Sequence, residues 1–355
     1  MIIVVKVGTQ SILTSDGTPN EPVILHLVEQ IIQLQEQGNH VILVSSGAVG
    51  AGRKISKDYL ARQYGHSIAE KQVLASIGQP ELMKTYSSLF GKHQLLTAQL
   101  LLTKQDFQTR QHYLNIARLI RELLNHRNII PIINENDSVA IQELMFTDND
   151  ELAGLIAAQV NADKLIILSN IAGVFSHHPE IPEARLIPEI KNDNDWPKVS
   201  SLKSTMGRGG MAGKLSTARK MSKLGITTHI ASMDEPNILL KILAGKTIGT
   251  RILPRKNASN IKRWMAYNAE KSHGAICINK GLFEIFKDNR RVISLLPVGI
   301  ESCIGEFKKG DLVEILFGHM KIGIGIARYD AGKLKEFLGQ KDKPEFIHYD
   351  HLHIF

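Results

Sequence analysis

The chain has 355 residues, 43% of them hydrophobic and 22% charged, which is long enough for two domains and apolar enough to give each a core. No stretch approaches the roughly 18 uninterrupted apolar residues of a membrane span, and two cysteines, Cys277 and Cys303, exclude a disulfide framework or a thiolate metal site and point to a reducing, cytoplasmic home. The formal charge of +8 is dispersed, with 28 basic and 23 acidic residues through Ile261 and 15 and 12 beyond it, which suits an enzyme with anionic ligands better than a nucleic-acid binder.

In chain order, residues 2–6 are a β-branched run closed by Gly8-Thr9, and the opening segment lacks the basic flank of a signal peptide. Residues 23–37 carry Ile24, Leu27, Ile31, Ile32 and Leu34 at helical spacing and stop at Gly38. A buried strand over 40–44 ends in Ser45-Ser46-Gly47, and helical patterns follow over 68–92 and 113–125. Residues 129–133 read as a strand running into a polar turn, Asn134-Glu135-Asn136-Asp137. An apolar helix over 149–160 and strands over 165–168 and 227–231 complete an α/β alternation with a mostly parallel open sheet. The polar, proline-containing stretch 177–206 predicts little regular structure, and 253–274 reads as a basic connection. Beyond it short strands over 275–278, 292–295, 312–316 and 322–327, separated by glycine turns, predict a small β-rich domain. The expected division is 1–255, a linker over 256–273, and 274–355.

Four glycine-containing turns carry the chemistry. They are Lys6-Val7-Gly8-Thr9, then Ser45-Ser46-Gly47-Ala48-Val49-Gly50-Ala51-Gly52, then Thr147-Asp148-Asn149-Asp150, and Gly207-Arg208-Gly209-Gly210-Met211-Ala212-Gly213-Lys214. Glycines let backbone N–H groups approach an anion, and a helix N-terminus favours negative charge, so these turns suit phosphate. The last falls one residue short of a P-loop and lacks its Ser or Thr. One such turn carries little weight; four at strand ends, two with a lysine, carry more.

These segments, with Asn134-Glu135-Asn136-Asp137, Lys71-Gln72, Gly78-Gln79, Leu101-Leu102-Thr103 and Tyr113-Leu114-Asn115, resemble the glutamate 5-kinases of the amino-acid kinase family. Lys280-Gly281, Ser294 to Gly299 and Gly305 to Asp311 resemble the PUA domain that many bacterial members carry. The resemblance implies a three-layer αβα sandwich followed by a small β-rich PUA domain, and transfer of a phosphoryl group from ATP to the γ-carboxylate of L-glutamate, the first step of proline biosynthesis. It places Lys6 and Lys214 beside the transferring group with Asp150 orienting them, and glutamate against Ser46, Asn134, Asp137 and Asn149. It assigns the nucleotide to Lys6, Gly8, Thr9, Ser169, Asn170, Arg208, Gly209, Gly210, Met211, Ala212, Gly213 and Lys214. Mg²⁺ is expected to arrive on the ATP phosphates without a dedicated protein metal site. A homo-oligomer (dimer or tetramer) and feedback inhibition by proline are implied as well, and no membrane partner is.

The sequence departs from the family where Thr-Asp is usual, reading Ser169-Asn170, and in the loop containing Arg208, which adds a cation. The chemistry needs no histidine or cysteine, because a γ-carboxylate with a reference pKa near 4.3 is already ionised at neutral pH. His177-His178 are adjacent, and adjacent side chains rarely converge on one metal. His348, His351 and His353 have nearer to metal-ligand spacing but fall where the last strand of a PUA domain would end, so all are read as ordinary residues and the two cysteines as core. Two other readings stay open: another carboxylate or carbamate kinase of the family, and an RNA-binding PUA protein whose kinase domain is vestigial.

Overall fold

The apolar runs become the centre of an eight-stranded sheet in the order β3-β4-β2-β1-β5-β7-β8-β6. These strands are β1 (Ile2–Val7), β2 (His40–Val44), β3 (Leu96–Leu102), β4 (Ile129–Glu135), β5 (Lys164–Ser169), β6 (Glu189–Ile190), β7 (Thr227–Ser232) and β8 (Thr250–Ile252). The computed structural model describes the chain apart from residues 61–63, 108–109, 140–145, 147, 178–180, 198–209, 256–273, 288–292 and 355, and the side chains of 110 and 350. Every pairing in this sheet is parallel except β7 with β8. A parallel strand covered on both faces must be apolar along its length, and Ile3, Val4, Val5 and Val7 of β1 are fully buried. Strand order reverses around β1, with β2 on one side and β5 on the other, so the crevice for a ligand opens beyond Val7.

The helices are α1 (Thr9–Ile12), α2 (Glu21–Glu36), α3 (Ala48–Leu60), α4 (Ile68–Gly91), α5 (Arg110–Asn125), α6 (Asn149–Val160), α7 (Met211–Lys223) and α8 (Ile238–Leu243). α4 begins with a capping box in which Ser67 and Glu70 satisfy each other's backbone N–H, and it continues through Pro80. Several expectations need correction. The glycine-rich stretch after β2 is a turn only at Gly47, whose φ of +105° favours glycine; Gly50 and Gly52 lie inside α3. A Cβ at Gly52 would sit 1.8 Å from the Leu74 carbonyl oxygen, and one at Gly78 would sit 1.9 Å from that of Ala48. These two glycines let α3 and α4 pack backbone against backbone; they serve helix contact, not phosphate. Asn134 and Glu135 belong to β4, not to the turn after it. The edge strand β3 was not read from the sequence, because its exposed Leu96 and partly exposed middle break any burial pattern. Glu189 and Ile190, inside the stretch expected to be irregular, form β6 on the far edge.

The chain divides into two compact units, Met1–Asp106 with Asn115–Asn257, and Phe107–Leu114 with Ala258–Phe355. The second contains a five-stranded sheet, β10-β9-β11-β12-β13, built from β9 (Gly274–Ile278), β10 (Ile300–Gly305), β11 (Leu312–Phe317), β12 (Met320–Ile326) and β13 (Leu352–Ile354). Ile276, Val313, Ile315, Phe346 and Ile347 are central to its own core. No strand forms among the described residues of 292–295; Leu295 makes a single bridge to Ile347. β10, β13 and a helix over Lys280–Lys287 complete this unit beyond what the sequence pattern predicted.

Candidate active site

Lys6 is the fifth residue of β1 and enters the site because β1 lies at the sheet centre. Lys214 projects from the first turn of α7, and Asp150 from the first turn of α6. Asp150 is fully buried and bridges both cations, Lys6 Nζ to Oδ1 at 2.7 Å and Lys214 Nζ to Oδ2 at 2.8 Å. Burial alone would raise the Asp150 pKa, but the two ammonium groups outweigh it and hold the carboxyl below its usual range. The triad carries a net charge of +1 in a nearly water-free setting.

Asp148, two residues away, has the opposite fate. It caps α6, its Oδ1 accepting from Glu151 N at 3.0 Å, while Oδ2 is buried with no hydrogen-bond partner among the described residues. Burial, then the neighbouring charge of Asp150, pushes its pKa up to about 6. A Cβ at Gly213 would lie 2.4 Å from that Oδ2, so α7 begins against the carboxylate only because residue 213 has no side chain. Gly210 caps α7, and Met211 and Ala212 form its first turn with Gly213 and Lys214.

A second cluster is neutral. Asn149 Nδ2 donates to Ser45 O (2.8 Å), Ser46 Oγ (2.8 Å) and Asn134 Oδ1 (2.9 Å). Asn134 Oδ1 also accepts from Glu135 N, and its Nδ2 donates to Gln79 Oε1 at 2.8 Å. The Asn149 Oδ1 is buried without a partner among the described residues. Behind the cluster Ser45 Oγ meets Tyr86 Oη at 3.0 Å, and burial pushes that phenol to about 12. Alongside lies a cavity of about 370 Å³ lined by Gln79, Glu135 and Asp137 with Ala75, Pro80 and Leu101. Glu135 Oε1 accepts from Phe146 N at 2.8 Å, tying the segment before α6 to the floor of β4.

The structure therefore joins Lys6, Asp150 and Lys214 directly, and Ser46, Asn134 and Asn149 directly, with Asp137 on the adjoining cavity. Gly8 caps α1 with Thr9 following it, and a Cβ on Gly8 would stand 3.7 Å from Lys6 Nζ. Ser169 is buried at the end of β5, where its Oγ accepts from Ile171 N, and Asn170 Nδ2 donates to Gln10 Oε1 at 3.1 Å. Arg208 and Gly209 lie outside the described residues. Two groups carried no role in the sequence reading. Asp148 was visible only as part of the acidic motif, and Gln79 only as half of Gly78-Gln79. Among the described residues no group of three or more His, Cys, Asp and Glu is placed to hold a metal, and no helix is long and apolar enough to cross a membrane.

Two buried lysines, one near the end of the central strand β1 and one in the first turn of α7, sharing a carboxylate at the carboxyl ends of a parallel sheet, suit a phosphoryl-transfer protein. Residues 1–232 match the amino acid kinase family and 274–344 the PUA domain. A protein of Chlorobaculum tepidum named glutamate 5-kinase is 44% identical over 99% of this chain and 97% of its own. One of the same name from Bacteroides thetaiotaomicron is 39% identical over 99% and 98%. In fold the chain is similar to UMP kinase from Bacillus anthracis, with a TM-score of 0.50 and 17% identity over 72% of this chain and 96% of that one. The chain belongs to the amino acid kinase family, in its glutamate 5-kinase branch, and carries a C-terminal PUA domain.

Proposed function

We propose that the protein transfers the γ-phosphoryl group of ATP to the side-chain carboxylate of L-glutamate, giving L-glutamyl 5-phosphate at the head of proline biosynthesis. The observation that carries this reading is the Lys6–Asp150–Lys214 triad beside an uncharged amide cluster. An ionised carboxylate attacks without a general base, so the protein has to align two anions and neutralise the charge that spreads over the phosphoryl oxygens. Lys6 is ion-paired to Asp150 and Lys214 hydrogen-bonded to it, and the two ammonium groups are assigned to oxygens of the transferring group. Asp150 fixes both Nζ positions, so little reorganisation accompanies the transition state.

The nucleotide is assigned to the start of α7 (Gly210, Met211, Ala212, Gly213), to Gly8 and Thr9, and to Ser169 and Asn170, with Arg208 and Gly209 in the adjoining loop. The backbone N–H groups of the first turn of α7 take phosphate oxygens, as helix N-termini do. Glutamate is assigned to Ser46, Asn134, Asn149 and Asp137, the last pairing with the α-ammonium. The site fits Mg²⁺ accompanying ATP: the orphaned, buried Asp148 Oδ2 is a hard oxygen ligand beside the phosphate subsite. When bound, the ion neutralises charge on the phosphates, and Asp148 would hold it directly or through water.

Proline retains the ammonium and α-carboxylate but lacks the reacting carboxylate, so it would occupy the glutamate subsite as a competitive inhibitor. The catalytic part is taken to end near residue 255, with 256–273 as the connection, and the working form is taken as a cytoplasmic homo-oligomer. RNA retention on the full chain reads whether the PUA domain takes structured RNA at all. An ADP-release assay across glutamate, aspartate, acetylglutamate and carbamate tests the activity. Turnover of glutamate is expected, inhibited by millimolar proline in a manner that glutamate relieves. Turnover of aspartate without glutamate overturns the substrate, and inhibition that glutamate cannot relieve moves proline to a separate site.

A further inference from the structure

Gln79 sits on α4 and is only 9% exposed; it is bonded into the amide cluster and is also one of the residues lining the 370 Å³ cavity. An isolated amide side chain gives no sign of which end is oxygen, but here the order is fixed from the backbone outward. The Glu135 N–H can only donate, so the Asn134 atom 2.9 Å from it must be the acceptor Oδ1. The other Asn134 terminus is then the donor Nδ2, and the Gln79 atom that receives it must be Oε1. That leaves Gln79 Nε2, a donor with no partner among the described residues, on a residue that lines the cavity.

The same cavity is lined by two carboxylates, Asp137 and Glu135, the latter engaged by Phe146 N, by further polar side chains, and by the apolar Ala75, Pro80 and Leu101. It thus offers an amide donor and an acidic acceptor over a greasy wall, which complements the carboxylate and ammonium of an amino-acid zwitterion. Gln79 reaches this position because Gly52 and Gly78 bring α3 and α4 into backbone contact; any larger residue would push α4 away from Asn134.

We infer that Gln79 is a specificity-determining residue whose Nε2 donates to the α-carboxylate of the amino-acid substrate, held in that orientation by Asn134. The inference rests on the reading of Ser46, Asn134 and Asn149 as the glutamate subsite. A neutral amide suits this place: a lysine would add charge to a pocket shared with Asp137, whereas an amide recognises the carboxylate with direction alone.

The test uses the full-length protein and compares glutamate with 4-aminobutyrate, which keeps the reacting carboxylate and the ammonium but lacks the α-carboxylate. Gln79→Met keeps length and removes both polar ends; Gln79→Glu keeps the acceptor for Asn134 and puts a carboxylate where the donor was. A hydrogen bond to a charged group corresponds to roughly 10- to 100-fold in affinity. Gln79→Met should therefore raise the glutamate KM by about that factor, leave the ATP KM within about twofold, and lower the preference for glutamate over 4-aminobutyrate by a similar factor. Gln79→Glu should be at least as impaired towards glutamate, since like charges would meet. If Gln79→Glu binds glutamate as well as the parent, or if Gln79→Met keeps the full preference over 4-aminobutyrate, the inference fails. Asn149→Ala separates the two readings. An unchanged glutamate KM there removes the subsite itself, whereas a raised one beside an unaffected Gln79→Glu removes only the role of Gln79.

Discussion

The two ends of the site solve different problems with different materials. At the end assigned to phosphate, the ionic cluster of Lys6, Asp150 and Lys214 is at most 5% exposed; at the end assigned to the amino acid, Ser46, Asn134, Asn149 and Gln79 are joined by neutral hydrogen bonds. Buried charge is costly unless paired, and two lysines sharing one carboxylate favour a further anion, which Asp148 supplies in part and an anionic ligand can complete. Neutral amides are weaker but directional, which suits a ligand whose groups must be told apart. The contrast repeats at the start of α6. Asp150 contacts two lysines directly and is held ionised, whereas Asp148 feels the same lysines at longer range, and burial and the charge of Asp150 outweigh them.

The sharpest way to break the comparison is to remove charge. Lys6→Ala, Lys214→Ala or Asp150→Asn should lower kcat by roughly 10²- to 10⁴-fold, because the lysines are assigned to charge that develops in the transition state and Asp150 to holding them in place. Steady-state kinetics check this, and a change confined to the ATP KM would return the altered residue to ground-state binding. Packing comes next. Gly52→Ala should cost about 3 kcal/mol in urea unfolding, since its Cβ collides with the Leu74 carbonyl in a helix pair that cannot separate without disturbing Gln79. Wild-type stability for that variant would mean the α3–α4 contact is loose.

At the neutral end the effect should be smaller and of another kind. Asn149→Ala should raise the glutamate KM by roughly 10- to 50-fold with kcat and the ATP KM little changed, as expected for loss of binding common to ground and transition states. A kcat loss as large as that of Lys214→Ala would erase the distinction between the two ends. The smallest effect concerns Asp148 in the ligand-free protein. Its folded pKa of about 6 lies above the unfolded value of 3.8, so the folded state binds the proton more tightly and stability falls as pH rises from about 4 to about 6. Asp148→Asn, which still caps α6, should remove that fall and stand about 1–2 kcal/mol above the parent at pH 7. Urea unfolding at pH 4 and pH 7 reads it; a variant less stable than the parent at pH 7 would mean that Asp148 is stabilised as an anion.

Much of the fold was legible because burial writes itself into composition. β1, β2, β4 and β5 are built on apolar runs of four or more residues, as central parallel strands must be, whereas β7, Thr-Thr-His-Ile-Ala-Ser, showed itself only by its β-branched residues. α3 was hidden because Gly50 and Gly52 look like turn residues until α4 is placed against them. β6 was hidden because two residues carry no periodicity.

For the site the division is similar. Sequence alone determined the chemical inventory: two lysines beside glycine turns, the Asn134–Asp137 and Asp148–Asp150 motifs, and a reaction that needs no histidine or cysteine. Only the tertiary structure decided that Asp150, 144 residues from Lys6 and 64 from Lys214, lies between them. It also decided that Asp148 makes no direct ion pair among the described residues, and that Gln79 is bonded to Asn134 while lining the same cavity as Asp137. The reason is physical: a residue's type fixes which protons and charges it can offer. Ionisation, amide orientation and partner depend on burial and on groups far away in the chain, which sheet order and helix packing alone bring together.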